Sequence, residues 1–210
     1  SLDIFLNEVD KAIALDNNIY NKSRYHQLKA QVLFLLKDFE NGFDAIDSSI
    51  ALRENILDFY YNKIHALTMS EDYEEALLLI DETIKKFPHK EKMLNHKKVY
   101  VYFMYGNSEN DPSKHKEAIK ILENLSSQYP QDYYFLNSLA YGYSYIGEKE
   151  KSFDILKKLI SLDPTNGNFY DSYGEILQTF EMYDEAIEKY KKAIELDPNG
   201  FYLYQTFPRL

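Results

Sequence analysis

Histidines are the side chains of this 210-residue chain that could bind a metal ion or shuttle protons. They lie at His26, His65, His89, His96 and His115. No pair has the four-residue spacing, followed by a third ligand, that a helical zinc site needs. His89 and His96 could share one helix face, but lysines surround them and disfavour a metal ion. The histidines therefore predict no metal site.

A second group of possible ligands has oxygen atoms, at Asn107, Glu109, Asn110 and Asp111. A calcium loop of the familiar type alternates its oxygen ligands around a central glycine and closes with a glutamate. The glycine is absent here, and runs of asparagine, serine and aspartate are typical of solvated loops. We therefore expect an exposed loop rather than a cation site.

Motifs for nucleophilic or phosphate chemistry are absent from the sequence. It has no glycine-rich phosphate cradle and no serine nucleophile elbow. Adjacent acids such as Glu74 and Glu75 are common on exposed helix faces and need no catalytic role. The chain also lacks cysteine, which excludes disulfides and thiolate metal ligands. We expect a protein that is not an enzyme and that uses no cofactor or metal.

Composition favours a helical chain with an acidic surface. Hydrophobic residues make up 45% of it, whereas glycine (7) and proline (6), which interrupt helices, are scarce. A net charge of −10 repels phosphate backbones, so we expect no nucleic-acid partner. No apolar run approaches the roughly 18 residues of a membrane span, and we expect no membrane insertion.

A periodic pattern organises the elements that would position these side chains. Subtracting 34 from the numbers of Gly174 and Pro198 gives Ala140 and Pro164, which keep the same character. A small residue recurs in steps of 31, 42, 34 and 34, at Ala45, Ala76, Ala118, Ser152 and Ala186. Four units close with a proline, at Pro88, Pro130, Pro164 and Pro198. Periods of this size indicate stacked repeats rather than one globular core.

Each unit predicts two helices joined by a turn. In the last unit, apolar residues at helical spacing predict helices over 169–179 and 184–196, with a short turn near Glu181 and Met182. Ala186 has to be small because we expect the two helices to cross closely there. Neither helix can bury its apolar face alone, so neighbouring units have to stack.

The 42-residue step holds about eight residues more than the 34-residue period. Gly106 precedes Ala118 by twelve residues, whereas Gly147 precedes Ser152 by five. This comparison places the extra residues between the two helices of one unit. We predict a longer exposed turn over 107–116.

The repeated pattern resembles the tetratricopeptide repeat. In the last unit the matching residues are Tyr170, Tyr173, Gly174, Leu177, Ala186, Tyr190 and Pro198, with tyrosine in place of tryptophan. The resemblance covers nearly the whole chain and implies an all-α, right-handed superhelical solenoid of helix-turn-helix repeats. The predicted single domain has a leading helix (1–16), repeats at about 20–56, 57–90, 91–132, 133–166 and 167–200, and a tail (201–210).

The resemblance also implies where a partner would bind, because first helices line the concave wall in this family. The register places the following residues on that wall: Tyr61, Asn62, His65, Met69, His96, Lys97, Tyr100, Phe103, Met104, Tyr134, Asn137, Ser138, Tyr141, Tyr145, Asp171, Ser172, Glu175 and Gln178. Aromatic rings and amides suit peptide contact. We expect a non-catalytic scaffold that binds a protein or peptide on this wall.

Three of these residues, Tyr100, Asn137 and Tyr141, are our hypothesis for the peptide contacts. We expect their joint replacement by alanine to abolish partner capture without changing melting. The alternative is that the tyrosines only pack between neighbouring first helices. Asp171 and Glu175 favour a partner with some positive charge. The lysine and asparagine set with which some family members grip a C-terminal carboxylate is incomplete here, so that specificity is not carried over.

Two other functions remain open. One is a structural or self-assembly element, because residues 1–16 resemble a second helix without its first. The tail is crowded with aromatic residues, at Phe201, Tyr202, Tyr204 and Phe207. These rings either cap the final helix or pack against another copy or a missing downstream repeat.

The other is an accessory segment of a larger enzyme or sensor protein, since the chain begins with Ser1 and could be a fragment. The compartment stays open for the same reason. The cytoplasm is favoured, and export or the periplasm is the alternative.

Overall fold

The computed structural model describes residues 2–198. The helices of this part are α1 (Leu2–Leu15), α2 (Ile19–Leu35), α3 (Phe39–Leu52), α4 (Leu57–Met69), α5 (Tyr73–Lys86), α6 (Glu91–Glu109), α7 (Pro112–Gln128), α8 (Tyr133–Tyr145), α9 (Lys149–Leu162), α10 (Gly167–Thr179) and α11 (Tyr183–Leu196). A short 3₁₀ turn (Pro88–Lys90) precedes α6, and residues 2–198 contain no strand. The predicted all-α fold is confirmed. The predicted tail, 201–210, lies outside the described residues.

The chain divides into two compact units, and the boundary between Val101 and Tyr102 lies inside α6. In the N-terminal unit, α1 packs on α2, and α2/α3 and α4/α5 form helical hairpins. In the C-terminal unit, α7 packs on α8, and α8/α9 and α10/α11 form hairpins. We refer to α2, α4, α6, α8 and α10 as the first helices of their pairs. None of the helices in the described range is long and apolar enough to span a membrane.

Small residues allow the two helices of each pair to approach closely. The recurring small positions, Ala45, Ala76, Ala118, Ser152 and Ala186, are all buried, with at most 5% of their surface exposed. Gly174 in α10 faces the ring of Tyr190 in α11, and a Cβ at 174 would lie 2.5 Å from Tyr190 Cε1. The small residue therefore recurs because the two helices of each pair cross too closely for a larger side chain. The two helices predicted for the last unit are confirmed as α10 and α11.

Each turn between paired helices contains one residue in the left-handed region. These residues are Lys37, Glu71, Asn110, Gly147 and Glu181, with φ of 60°, 67°, 51°, 77° and 60°. The N–H of the following residue bonds back to a carbonyl five residues earlier, as Asp72 does to Leu67 at 2.8 Å. This is the Schellman arrangement, which favours glycine because a Cβ is strained at positive φ. Only Gly147 relieves that strain.

The predicted long turn over 107–116 is wrong. Helix α6 continues to Glu109 and α7 begins at Pro112, so the extra residues lengthen two helices. The Asp111 side chain accepts a hydrogen bond from the Ser113 N–H at 2.8 Å, which caps α7. The propensity of asparagine and serine for loops is weak, and tertiary contacts override it.

Ion pairs join successive helices of the N-terminal unit. Lys29 in α2 pairs with Asp10 in α1, Lys63 in α4 with Asp47 in α3, and Lys98 in α6 with Asp81 in α5. The Nζ–Oδ1 distances are 2.6, 2.7 and 2.6 Å respectively. Each lysine side chain is less than a third exposed. These ion pairs therefore link α2, α4 and α6 each to the helix that precedes it.

Candidate functional site

The C-terminal unit contains a cavity of about 440 Å³ between α8 and α10, here called the α8–α10 cavity. Six residues that the sequence places on the binding wall line it: Tyr134, Asn137, Tyr141, Asp171, Ser172 and Glu175. Sequence reasoning missed the other four, Tyr133, Asn166, Asn168 and Phe169. Asn166 caps α10 by accepting from the Asn168 N–H at 3.2 Å, which fixes this edge of the cavity.

Two hydrogen bonds cross this cavity's wall from α8 to α10. The Tyr141 hydroxyl donates to the Glu175 carboxylate, and Asn137 Nδ2 donates to Ser172 Oγ at 3.0 Å. Burial raises the pKa of the Tyr141 phenol, and the charge of Glu175 raises it further, so the phenol stays protonated as a donor. The Asn137 carbonyl oxygen is buried and accepts no hydrogen bond.

These contacts change one expectation drawn from the sequence. The sequence predicts that Tyr141 and Asn137 contact a partner and that their replacement leaves melting unchanged. Because both bond to α10, replacing them by alanine leaves polar groups of Glu175 and Ser172 without these partners. The triple alanine variant with Tyr100 is therefore expected to melt at a lower temperature as well.

Charge and aromatic surface distinguish the α8–α10 cavity. Asp171 is only 6% exposed, and Glu175 follows one helical turn later. Among residues 2–198, no lysine, arginine or histidine lines this cavity. The Tyr133 and Phe169 rings meet edge to face, with centroids 5.9 Å apart. The cavity therefore combines an anionic wall with aromatic rings.

The N-terminal unit contains a cavity of about 650 Å³ between α2 and α4, here called the α2–α4 cavity. Asn62, His65 and Met69 of the predicted wall line it. Sequence reasoning missed the rest of its lining, which comprises Gln31, Phe34, Leu35, Lys37, Phe39 and Ala66. Leu35 is 79% exposed and Met69 55% exposed, so this cavity offers mainly apolar surface to a ligand.

A signal in the sequence could have found part of the missed lining. The recurring small residue steps by 31 between Ala45 and Ala76. The same step leads back from Asn62 to Gln31, and from His65 to Phe34. That repeat lacks the closing proline, so the equivalence of Gln31 to Asn62 and of Phe34 to His65 was not recognised.

Other predicted wall residues of the N-terminal unit lie on α4 and α6. His65 has a pKa lowered first by burial and then by the charge of Lys97. Lys97 is itself half-buried, which lowers its pKa, and its Nζ lies 5.1 Å from the Tyr100 ring centroid. His96 is partly buried, and the buried Tyr61 hydroxyl has no hydrogen-bond partner. Of these residues, His65 lines the α2–α4 cavity, whereas Tyr61, His96, Lys97 and Tyr100 line neither of the two cavities.

Phe103 and Tyr145 of the predicted wall pack around a buried histidine of α7 instead. Their ring centroids are 5.2 Å apart, and the His115 ring lies 5.1 Å from that of Tyr145. His115 is 6% exposed, and its Nε2 lies 3.0 Å from Asn107 Oδ1. For these two aromatic residues, packing accounts for the observed contacts.

Met104, Ser138 and Gln178 line neither cavity. Met104 and Ser138 are partly buried. The Gln178 side chain accepts a hydrogen bond from the Tyr190 hydroxyl at 3.1 Å, which directs it to α11 of its own pair. Across residues 2–198, no three metal-binding side chains come together.

Comparison with known proteins finds similarity to tetratricopeptide repeats. The tetratricopeptide repeat model matches residues 168–199, which comprise α10, α11 and the turn between them. A solved tetratricopeptide repeat protein from Parabacteroides merdae superposes with a TM-score of 0.65 and 17% identity, covering 99% of this chain and 77% of that chain. The last repeat of the chain matches the tetratricopeptide repeat, and the chain has the fold of a solved protein of that kind.

Curated relatives agree with this similarity. A TPR repeat-containing protein of Methanocaldococcus jannaschii is 21% identical over 194 residues, covering 91% of this chain and 33% of that protein. Hsp70-Hsp90 organizing protein 1 of Glycine max is 23% identical over 219 residues, covering 90% of this chain and 38% of that protein. The chain spans between 12% and 38% of the length of the curated relatives it matches. These similarities indicate a protein-interaction scaffold.

Proposed function

We propose that this chain is a non-catalytic tetratricopeptide repeat scaffold whose first helices bind an extended peptide segment of a protein partner. One observation supports the proposal most: in each unit, a cavity lies between two consecutive first helices. An extended segment places side chains in such openings at intervals and gains affinity from several modest contacts.

The linings of the two cavities suit different kinds of side chain. The α2–α4 cavity presents Leu35, Met69 and Phe34, which fit an apolar side chain. The α8–α10 cavity presents hydroxyl, amide and carboxylate groups, which fit polar side chains or the peptide backbone. Each cavity would then select a different kind of side chain.

Exposed residues of the cavities allow a test that leaves the core intact. Tyr134→Ala removes a 59% exposed ring from one cavity, and Met69→Ala removes a 55% exposed side chain from the other. Tyr183→Ala and Leu78→Ala remove side chains that are 56% and 60% exposed and that line neither cavity. The second pair therefore serves as the matched control.

Peptides selected from a random linear library on the wild-type protein supply the ligands, and fluorescence anisotropy measures their affinity. We expect each cavity variant to weaken binding about tenfold, as loss of an interface anchor does, and the controls to bind as the wild type does. Failure to enrich any peptide, or an equal loss in the controls, would contradict the proposal.

A second candidate function is self-association through α1. Leu2, Ile4 and Phe5, all on α1, are apolar and are 47%, 64% and 41% exposed. Sedimentation velocity over a range of protein concentrations tests this candidate. Association that Ile4→Ser removes would support it, and a concentration-independent monomer would exclude it.

A further inference from the structure

We infer that Asn137, in the wall of the α8–α10 cavity, accepts a hydrogen bond from an amide N–H group of the bound partner segment. The amide belongs either to the main chain of the segment or to the side chain of an asparagine or glutamine in it. This inference rests on the peptide-binding function proposed above and adds the chemistry of one contact. It follows from a chain of hydrogen bonds that leaves one acceptor without a partner.

The chain of hydrogen bonds begins at Glu175, whose ionised carboxylate can only accept. The Tyr141 hydroxyl donates to it, so the Tyr141 oxygen is left to accept. Burial and the charge of Glu175 raise the pKa of Tyr141, whereas a hydrogen bond from the Ser172 side chain lowers it. A bond that lowers the pKa of a phenol is donated to its oxygen, because it stabilises the phenolate. Ser172 therefore uses its hydroxyl proton on Tyr141.

This direction fixes the orientation of the Asn137 amide. Its Nδ2 lies 3.0 Å from Ser172 Oγ. Because the single proton of Ser172 is used on Tyr141, Ser172 accepts here, and the NH₂ group of Asn137 has to face it. The reversed amide would place two acceptors against each other.

The carbonyl oxygen of Asn137 is consequently an acceptor that no group within residues 2–198 satisfies. It is buried, although Asn137 lines the cavity. A buried acceptor without a partner destabilises the free protein, and a donor that reaches it restores the missing bond. The terminal torsion of asparagine is broad, so a modest rotation can turn this oxygen towards the cavity while Nδ2 keeps its bond to Ser172.

An amide N–H is the donor that an extended segment supplies. Each residue other than proline carries one main-chain N–H, and this group loses its water when the segment enters the cavity. Pairing it with Asn137 Oδ1 satisfies two buried polar groups with one bond. The Tyr133 and Phe169 rings add apolar surface against which a peptide plane can pack. A carbonyl oxygen at the same point would face another acceptor and would be rejected.

Replacing amides by esters in a bound peptide tests the inference, because an ester has a similar shape and lacks the N–H. The probe is a peptide from the library selection above whose binding Tyr134→Ala weakens. Each main-chain amide is replaced in turn by an ester, and each asparagine or glutamine side chain by its methyl ester. Fluorescence anisotropy measures affinity, and we expect at least one replacement to weaken binding about tenfold. The position of that replacement shows whether the N–H comes from the main chain or from a side chain.

Variants of the protein then assign this loss to Asn137. Asn137→Leu keeps the approximate shape and removes the acceptor, so we expect the loss caused by that ester to shrink to less than about twofold. Asn124→Leu makes the same change at an exposed position of α7, and there the full loss should remain. If Asn137→Leu does not fold, as circular dichroism would reveal, Tyr141→Phe replaces it. Removing the Tyr141 oxygen frees the Ser172 proton to bond to Asn137 Oδ1 once the amide has turned over, so the loss should shrink several-fold.

A selected peptide whose affinity no ester replacement lowers would overturn the inference. An ester effect of the same size in the wild type and in Asn137→Leu would overturn it as well. In both cases the selected peptide still binds, so only this inference fails. If the library yields no peptide, or none that Tyr134→Ala weakens, the proposed function fails and this inference fails with it.

Discussion

Tyr141 and Glu175 occupy equivalent positions of consecutive repeats, 34 residues apart, and their side chains are joined by a hydrogen bond. The Tyr141 hydroxyl on α8 donates to the Glu175 carboxylate on α10. Asn137 and Ser172 form a second link between the same two helices. One helix face therefore both holds neighbouring repeats together and lines the proposed binding cavity.

The first prediction concerns this link. Tyr141→Phe keeps the ring and removes the donor, so we expect the free energy of unfolding to fall by about 1–2 kcal/mol, as for a partly buried bond to a charged group. Urea denaturation at neutral pH measures the change. Tyr183→Phe, on an exposed ring of α11, is the control and should be neutral. A neutral Tyr141→Phe would show that the bond contributes nothing to folding.

The second prediction concerns pH and His115. Burial lowers the pKa of this histidine, although the Phe103 backbone and the charge of Asp111 act in the opposite direction. A lowered pKa means that the folded state disfavours the charged form. The stability that the neutral ring provides is present above the unfolded pKa of about 6.5 and is lost as pH falls below it.

His115→Gln removes this titration while keeping an amide that can bond to Asn107. We expect the wild type to lose stability more steeply than this variant between about pH 7 and pH 5. His26 and His65 also have pKa values lowered by burial, so the variant retains part of the slope. Parallel stability curves for the two proteins would rule out a contribution from His115.

The third prediction concerns the hairpin turns. Glu181→Gly should raise the free energy of unfolding by about 0.5–1 kcal/mol, because glycine adopts positive φ without strain. Gly147→Ala, at φ of 77°, should have the opposite sign. Thermal denaturation of both variants measures the pair. If both substitutions changed the free energy of unfolding in the same direction, something other than backbone strain would determine stability at these turns.

Much of the fold could be predicted from the sequence because its strongest signal is steric. Positions such as Ala186 have to be small wherever two helices cross, and this requirement recurs with the period. The extra residues near Asn107 could not be placed correctly, because loop propensity is weak. In the structure Asn107 lies inside α6 and contacts the buried His115.

For the candidate site, the sequence predicts which residues occupy equivalent positions in successive repeats. It does not predict which of their side chains are in contact. Repeat spacing indicates that Tyr141 and Glu175 are equivalent, yet it does not show that their side chains meet. That depends on how closely α8 and α10 pack and on the rotamers chosen. Gln178 illustrates the limit, since it has the predicted register but bonds to Tyr190 on α11.

The fourth prediction concerns the ion pairs between successive helices. Lys63 is 17% exposed and pairs with Asp47 at 2.7 Å, whereas Lys11 is 57% exposed and pairs with Glu8 inside α1. We expect Lys63→Met to lower the free energy of unfolding by about 0.5–1 kcal/mol, and Lys11→Met by less than about 0.5 kcal/mol. Because salt screens such pairs, the cost of Lys63→Met should shrink in about 1 M sodium chloride. Urea denaturation at low and high salt measures both variants, and equal costs at the two positions would show that linking α3 to α4 adds nothing beyond a surface pair.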